Sequence, residues 1–200
     1  GSEVVASRIS KNLPNGLLGI NIGPNKDTKN KEEDYFLCLS RLSSNAGYIT
    51  INISSPNTEG LRDFHDQQEL EKLLKGIENV KKKHNISKPI AIKLSPDIAD
   101  NQISIIYELI NKFNISGIII SNTTDKNREN LSDTKKSEAG GLSGQPLKEI
   151  STKLIKKFYK TTKGKTQIIG VGGVDSGQSA FEKISAGADV IQLYTGMVYR

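Results

Sequence analysis

Six short apolar runs in this 200-residue chain are each followed by amides, hydroxyls or glycines. The first run leads into Asn21, in GINIGPNK. The second leads into NISSPNT, residues 52–58, and the third into Lys93, in KLSPD. SNTT, residues 121–124, follows the fourth; GVGGVDSG, residues 170–177, the fifth; and YTG, residues 194–196, the sixth. Amides and hydroxyls in such numbers suit a planar heterocycle rich in donors and acceptors, although any one of them is an ordinary loop residue. Two glycine turns, GGLSG at 140–144 and VGGV at 171–174, precede helix-period segments that start near Pro146 and Ser176. Backbone N–H groups and positive helix ends gathered in this way suit a phosphate. Neither turn is a Rossmann fingerprint or a Walker loop. Lys93 ends the apolar run IAIKL, where an unpaired charge is costly. It either pairs with Asp97 or faces an electron-rich ring that gains negative charge on reduction.

The elements that must position these residues repeat as one unit: an apolar run, a polar loop, then a helix-period segment. The runs are Leu17–Ile22, Tyr48–Ile53, Pro89–Leu94, Gly117–Ser121, Gln167–Val171 and Val190–Tyr194. Most read as apolar on both faces, the mark of parallel strands covered on both sides. Leu70, Leu73, Leu74, Ile77 and Val80 keep one face of a helix. Ile103, Ile106, Ile110 and Phe113 repeat that pattern, as do Leu147, Ile150, Leu154 and Phe158. Ala180, Phe181 and Ile184 give a shorter version that ends at Gly187. Cys38 lies among Phe36, Leu37 and Leu39 and reads as a core-facing thiol. Six strands and five helices predict an α/β fold with a parallel sheet. The choice is between an open doubly wound sheet and a (β/α)8 TIM barrel with about six of its eight units present. The charged segment 125–141 has no period, and a loop of that length is either functional or mobile.

Composition narrows the function classes. The formal charge is +6 and the pI about 9.2, but no aromatic platform interleaves with the lysines, so nucleic-acid binding is not expected. A single cysteine excludes an internal disulfide, and the two histidines, His65 and His84, lack ligand-like neighbours, so no metal is expected. No run approaches the ~20 residues of a membrane span, and no leader pattern is visible. The chain as given reads as soluble, with residues 1–200 forming one domain.

GINIGPNKD, GYITINISSPNTEGLR, IAIKLSPD, GIIISNTT, GGLSGQPL, IIGVGGVDSG and ADVIQLYTG, in this order, resemble the dihydroorotate dehydrogenases. More narrowly they resemble the membrane-associated, quinone-dependent class 2 enzymes, because Ser55 stands where the soluble class 1 enzymes carry a cysteine. The resemblance implies a (β/α)8 barrel with FMN at the C-terminal ends of the strands. It implies oxidation of (S)-dihydroorotate to orotate in pyrimidine (UMP) biosynthesis: a base takes a proton from C5, a hydride leaves C6 for the flavin, and a quinone is the final acceptor. Matched residue by residue, Ser55 is the catalytic base; apart from that match, Thr58 and a water are expected to relay its proton, since a serine acts as a base only if its own proton moves on. Asn21, Asn52, Lys93, Ser121, Gly144, Gly173, Tyr194 and Thr195 are cofactor-binding. Asn52, Asn57, Asn122 and Thr123 are substrate-binding. The implied partners are dihydroorotate, orotate, a quinone and a membrane surface, reached through an N-terminal segment that this chain does not include. That surface is the cytoplasmic face of a bacterial inner membrane, or the mitochondrial inner membrane in a eukaryote.

On this reading the chain lacks the first barrel strands and the final helix beyond Arg200, and Gly1-Ser2 is either a cloning scar or native loop. Two other readings stay open from the residues alone. One is another FMN-dependent barrel oxidoreductase acting on a dihydropyrimidine, although such enzymes tend to use a cysteine acid and Cys38 is badly placed. The other is an inactive barrel fragment with two exposed sheet edges.

Overall fold

In the computed structural model, residues 1–129 and 131–199 are described; Asn130, within 125–141, and Arg200 lie outside them. Six strands form one parallel sheet: β1 (Gly19–Ile22), β2 (Tyr48–Asn52), β3 (Ile90–Leu94), β4 (Gly117–Ile120), β5 (Gln167–Val171) and β6 (Val190–Gln192). Their order in space is their order in sequence, β1-β2-β3-β4-β5-β6. A doubly wound sheet reverses direction part-way across. This one never does, so its helices all pack on one face, as in a barrel wall. The sheet also curls: Gln192 Nε2 on β6 lies 3.3 Å from the Tyr48 hydroxyl on β2, four strands away. Gly19 makes that approach possible, since a Cβ there would overlap the Tyr48 ring. Of the two architectures open from sequence, the barrel wall is the one formed.

The strand register sorts the side chains. Ile20, Ile49, Ile90, Ile51, Ile92, Ile118 and Ile168 occupy the outer face and are buried under the helices. The inner face carries Asn21, Thr50, Asn52, Ala91, Lys93, Ile119, Ile169, Val171 and Gln192. Only β4 and β5 are apolar on both faces, as expected for most of the runs; β1 to β3 alternate. Within the curl, Ala91, Ile119 and Val171 form a small second core with Ile169 against it. Ile119 stands beside Lys93 in the register and Val171 lines the cavity, so this apolar patch reaches the polar strand ends.

The outer layer is α2 (Lys31–Leu42), α3 (Gln67–Lys83), α4 (Asp100–Lys112), α5 (Lys148–Thr162) and α6 (Gly177–Ser185), with α1 (Ser2–Lys11) at the start and a short α7 (Thr195–Val198) at the end. Leu70, Leu73, Leu74 and Ile77 of α3 are buried, as are Ile103, Ile106 and Ile110 of α4 and Leu154 and Phe158 of α5. Ser2, open between scar and loop in sequence, is the first residue of α1. That helix was not expected; it has no fully buried residue, and Arg41 of α2 ties it down through Glu3 and Ser2. Cys38 is half-buried against the main core, and burial foremost, then Asp34, pushes its thiol up.

Two expectations need correction. The helix near Pro146 begins as a 3-10 turn, Gln145–Leu147, before α5 proper. On α6 the expected apolar face is not the buried one: Phe181 and Ile184 are exposed, while Ser179 and Lys183 are buried. α6 turns its polar face, Ser179 and Lys183, toward the first turn of α5 and the turn after β5. Among the described residues no helix is long and apolar enough to cross a membrane.

Candidate active site

Parallel strands deliver their C-terminal ends to one rim, and the curl closes that rim around a cavity of about 560 Å³. Every candidate residue lines it: Asn21, Asn52, Ser55, Asn57, Lys93, Ser121, Asn122, Thr123, Gly144, Gly173, Tyr194 and Thr195. The volume falls in the range of small-molecule and cofactor sites.

The loop after β2 is the most highly ordered by hydrogen bonds. Ser54 is fully buried, and its hydroxyl sits 2.7 Å from the Lys93 carbonyl. Asn52 Oδ1 accepts from Ser54 N, from Ser54 Oγ at 3.1 Å and from Asn122 Nδ2 at 3.1 Å. With Oδ1 engaged, the Asn52 side chain has Nδ2 left to donate into the cavity. The Tyr35 hydroxyl, 2.5 Å from the Asn52 carbonyl, fixes the same residue from the α2 side. Asn122 also accepts from Thr123 N at 2.8 Å, so its amide spans the loops after β2 and β4. Ser55 behaves differently from Ser54: its Oγ accepts from Asn57 N at 3.3 Å and makes no other hydrogen bond among the described residues. Two adjacent serines thus divide the work, one locked in the protein and one facing the cavity. Thr58, expected as a relay, does not line the cavity.

Lys93 leaves β3 beside Asn52 in the register. Its ion pair with Asp97, one of the two possibilities from sequence, does not form. Asp97 is taken by Arg62 at 3.1 Å and by the Thr124 hydroxyl at 2.8 Å. Among the described residues nothing accepts a hydrogen bond from the Lys93 ammonium, and burial pushes its pKa down. A half-buried cation with no partner is held at a cost, and it faces the cavity.

Arg62 is a residue that sequence reasoning quoted but gave no role. It donates to Asp125 at 2.9 Å and to the Thr123 carbonyl at 3.3 Å, while pairing with Asp97. It therefore fastens the loops after β2, β3 and β4 to one another. The buried His65 braces the same junction: its Nδ1 is 2.8 Å from the Arg62 carbonyl and its Nε2 accepts from Ser95 N, with burial lowering its pKa. The charged segment 125–141 closes on itself, since Arg128 donates to the carbonyls of Lys136, Glu138 and Gly140. A bridge between Thr124 and Leu142 seals its ends.

The two glycine turns meet at the start of α5, on the wall of the same cavity as Lys93. Gly144, Gly172 and Gly173 have φ of +78°, +111° and +67°, which favours glycine. A Cβ on Gly173 would lie 2.7 Å from the Lys148 nitrogen. Gly173→Ala is therefore expected to cost the complete protein about 2–4 kcal/mol, through positive φ and overpacking together. A shift in the urea midpoint at unchanged slope checks this. Thr195 Oγ1 donates to Ser143 Oγ at 3.0 Å, joining the end of β6 to this corner. Gln145 and Asp175 pair side chain to side chain at its rim.

The dihydroorotate dehydrogenase family model matches residues 1–200. The chain belongs to that family. It is 44% identical over 191 residues to the dihydroorotate dehydrogenase (quinone) of Pseudoalteromonas translucida (strain TAC 125), covering 92% of this chain and 57% of that protein. The same enzyme of Bartonella tribocorum (strain CIP 105476 / IBS 506) is 44% identical over 204 residues, covering 100% of this chain and 56% of that protein. Among solved structures, the ligand-free type DHODH of Eimeria tenella superposes with a TM-score of 0.91 at 34% identity, covering 100% of this chain and 62% of the other. The complex of the E. tenella enzyme with ferulenol gives a TM-score of 0.87 at 34% identity, covering 100% and 58%. The chain thus spans less than two thirds of the length of these relatives. Membership of the family accounts for the consecutive strand order and for a polar rim of several loops, since barrels build their sites there.

Proposed function

We propose that the complete protein oxidises (S)-dihydroorotate to orotate, with FMN as hydride acceptor and a quinone as final electron acceptor, in de novo pyrimidine biosynthesis. The observation that carries this reading is the convergence of Ser55, Lys93 and the Gly144/Gly172/Gly173 corner on one cavity. The names of the two sequence relatives, both dihydroorotate dehydrogenase (quinone), support it.

The donor set fits a flavin nucleotide. An unpartnered cation and several amides suit the polar edge of a ring, and the glycine corner offers backbone N–H groups to a phosphate. When bound, FMN supplies the two-electron chemistry that amino-acid side chains lack. The chain's own residues do the rest. Asn21, Asn52, Lys93 and Ser121 hold the ring, while Gly144, Gly173, Tyr194 and Thr195 hold the phosphate side. Asn52, Asn57, Asn122 and Thr123 orient the substrate. Ser55 Oγ takes the proton from C5. A serine hydroxyl is a weak base, so it acts only if its own proton passes to a water in the cavity as it accepts the one from C5. Asn57 N, donating to Ser55 Oγ, turns the hydroxyl hydrogen elsewhere and so sets the direction of that transfer. Pro56 keeps Ser55 out of the α region and helps aim it. Lys93 stabilises negative charge at the ring. Membrane association, at the inner membrane, belongs to a segment outside this chain.

Anaerobic dihydroorotate should bleach the flavin of the complete protein, dihydrouracil should not, and a quinone should restore the colour. Bleaching by dihydrouracil instead would favour the dihydropyrimidine alternative, and no bleaching by either would overturn the assignment.

A further inference from the structure

The buried face of α6 is polar, which is unusual for a helix on a barrel wall. Its two buried residues are Ser179 and Lys183, both with no exposed surface. The Lys183 ammonium reaches across to the first turn of α5. It donates to Ser151 Oγ at 2.5 Å, to Thr152 Oγ1 at 3.0 Å and to the Lys148 carbonyl at 3.3 Å. Ser151 Oγ in turn lies 3.2 Å from the Gly172 carbonyl. A continuous path of hydrogen bonds therefore runs from Lys183 through Ser151 to the glycine turn. Ser179, one turn earlier on α6, accepts from Asp175 N and Ser176 N at 3.0 Å and so fixes the other end of that turn.

The electrostatics of this arrangement run against a purely structural purpose. All three acceptors of Lys183 are neutral. The neighbouring carboxylate, Glu182, is engaged by Lys148 at 2.9 Å. A buried cation thus sits at the N-terminal end of α5, where the helix dipole is already positive. Burying an ammonium without an ion pair costs several kcal/mol, and the dipole adds to that cost. An anion seated against Gly144, Gly172 and Gly173 would offset both.

We propose that Lys183 is a positioning residue for the anion corner, shaping the Gly172-Gly173 turn and supplying from behind the positive charge that a phosphate meets there. This rests on the reading of that corner as the phosphate site. Burial, opposed by Glu182 and reinforced by Lys148, brings the Lys183 pKa down to about 8. The charge is therefore present at neutral pH and is lost in mildly alkaline solution. The charged groups facing it are Lys148 on α5, Glu182 on α6 and, through Ser179, Asp175 in the turn after β5.

The test uses the complete protein stripped of its flavin, titrated with FMN and with riboflavin by fluorescence quenching. The wild type should prefer FMN. Lys183→Met should reduce that preference at least about tenfold while changing riboflavin affinity little, since a charge held behind the corner in the protein interior is only weakly screened. An unchanged ratio in a folded Lys183→Met variant overturns the proposal. Equal affinities for both flavins in the wild type would instead overturn the phosphate reading itself. If Lys183→Met does not fold, the wild type is titrated at pH 7 and pH 9, both above the second phosphate pKa of about 6, so the FMN phosphate gains little further charge between them. The preference for FMN should then fall as pH rises, and a flat ratio overturns the proposal.

Discussion

Ser55→Ala in the complete protein is expected to lower turnover by about two to four orders of magnitude while the flavin stays bound. The separation of the two effects follows from the hydrogen bonds. Among the described residues Ser55 Oγ accepts only from Asn57 N, so its removal leaves the Asn52–Ser54–Asn122 lattice intact. Ser54→Ala is the contrasting control: it removes the hydroxyl that joins the Lys93 carbonyl, Asn52 and Asn122. It should disturb flavin and substrate binding together. Stopped-flow bleaching of the flavin by dihydroorotate measures the first effect, and the visible flavin spectrum of the purified variant measures retention. Near-normal bleaching by Ser55→Ala would remove Ser55 from the role of base.

Lys93→Ala is expected to weaken flavin binding or slow flavin reduction by about 100- to 1,000-fold, as removal of one preorganised charge does in other sites. The flavin-free protein should respond in the opposite sense. Among the described residues Lys93 has no partner there, and burial lowers its pKa, so truncation removes an uncompensated buried charge. Its urea midpoint should hold or rise. The same shift predicts a pH effect. In the interval between the depressed folded pKa and the ordinary lysine value, the unfolded chain binds more protons than the folded one. Stability of the flavin-free wild type should therefore rise with pH across that interval, and this rise should be smaller in Lys93→Ala. A fall in the urea midpoint together with normal flavin affinity would make Lys93 a structural residue.

The strands were legible because isoleucine-rich runs end in turn-forming residues. Each observed strand lies within one or two residues of its run; β3, for example, is Ile90–Leu94 within the run that begins at Pro89. The helix faces of α3 and α4 were legible for the same kind of reason, since a 3.6-residue period survives when one side packs against a sheet. The period failed on α6. Phe181 and Ile184 have the right spacing but are exposed in this chain, whereas Lys183 is buried because three acceptors on α5 surround its ammonium. No period in hydrophobicity can report a buried lysine. α1 was missed because its buried side is thin: Ala6 and Ile9 only partly meet the core.

For the site, the sequence by itself determined which residue types stand at the strand ends, because a polar residue after a buried strand is visible in one dimension. It also carried the family resemblance, which rests on the joint order of the motifs. Only the tertiary structure decided how those residues share the work. Ser54 and Ser55 are chemically identical, and the difference between a locked hydroxyl and a free one is made by the Lys93 carbonyl and Asn122, 39 and 68 residues away. The choice of Arg62 rather than Lys93 as the partner of Asp97 is of the same kind. Hydrogen bonds and ion pairs act over about 3 Å in space, so their partners are set by the curl of the sheet and not by neighbourhood along the chain.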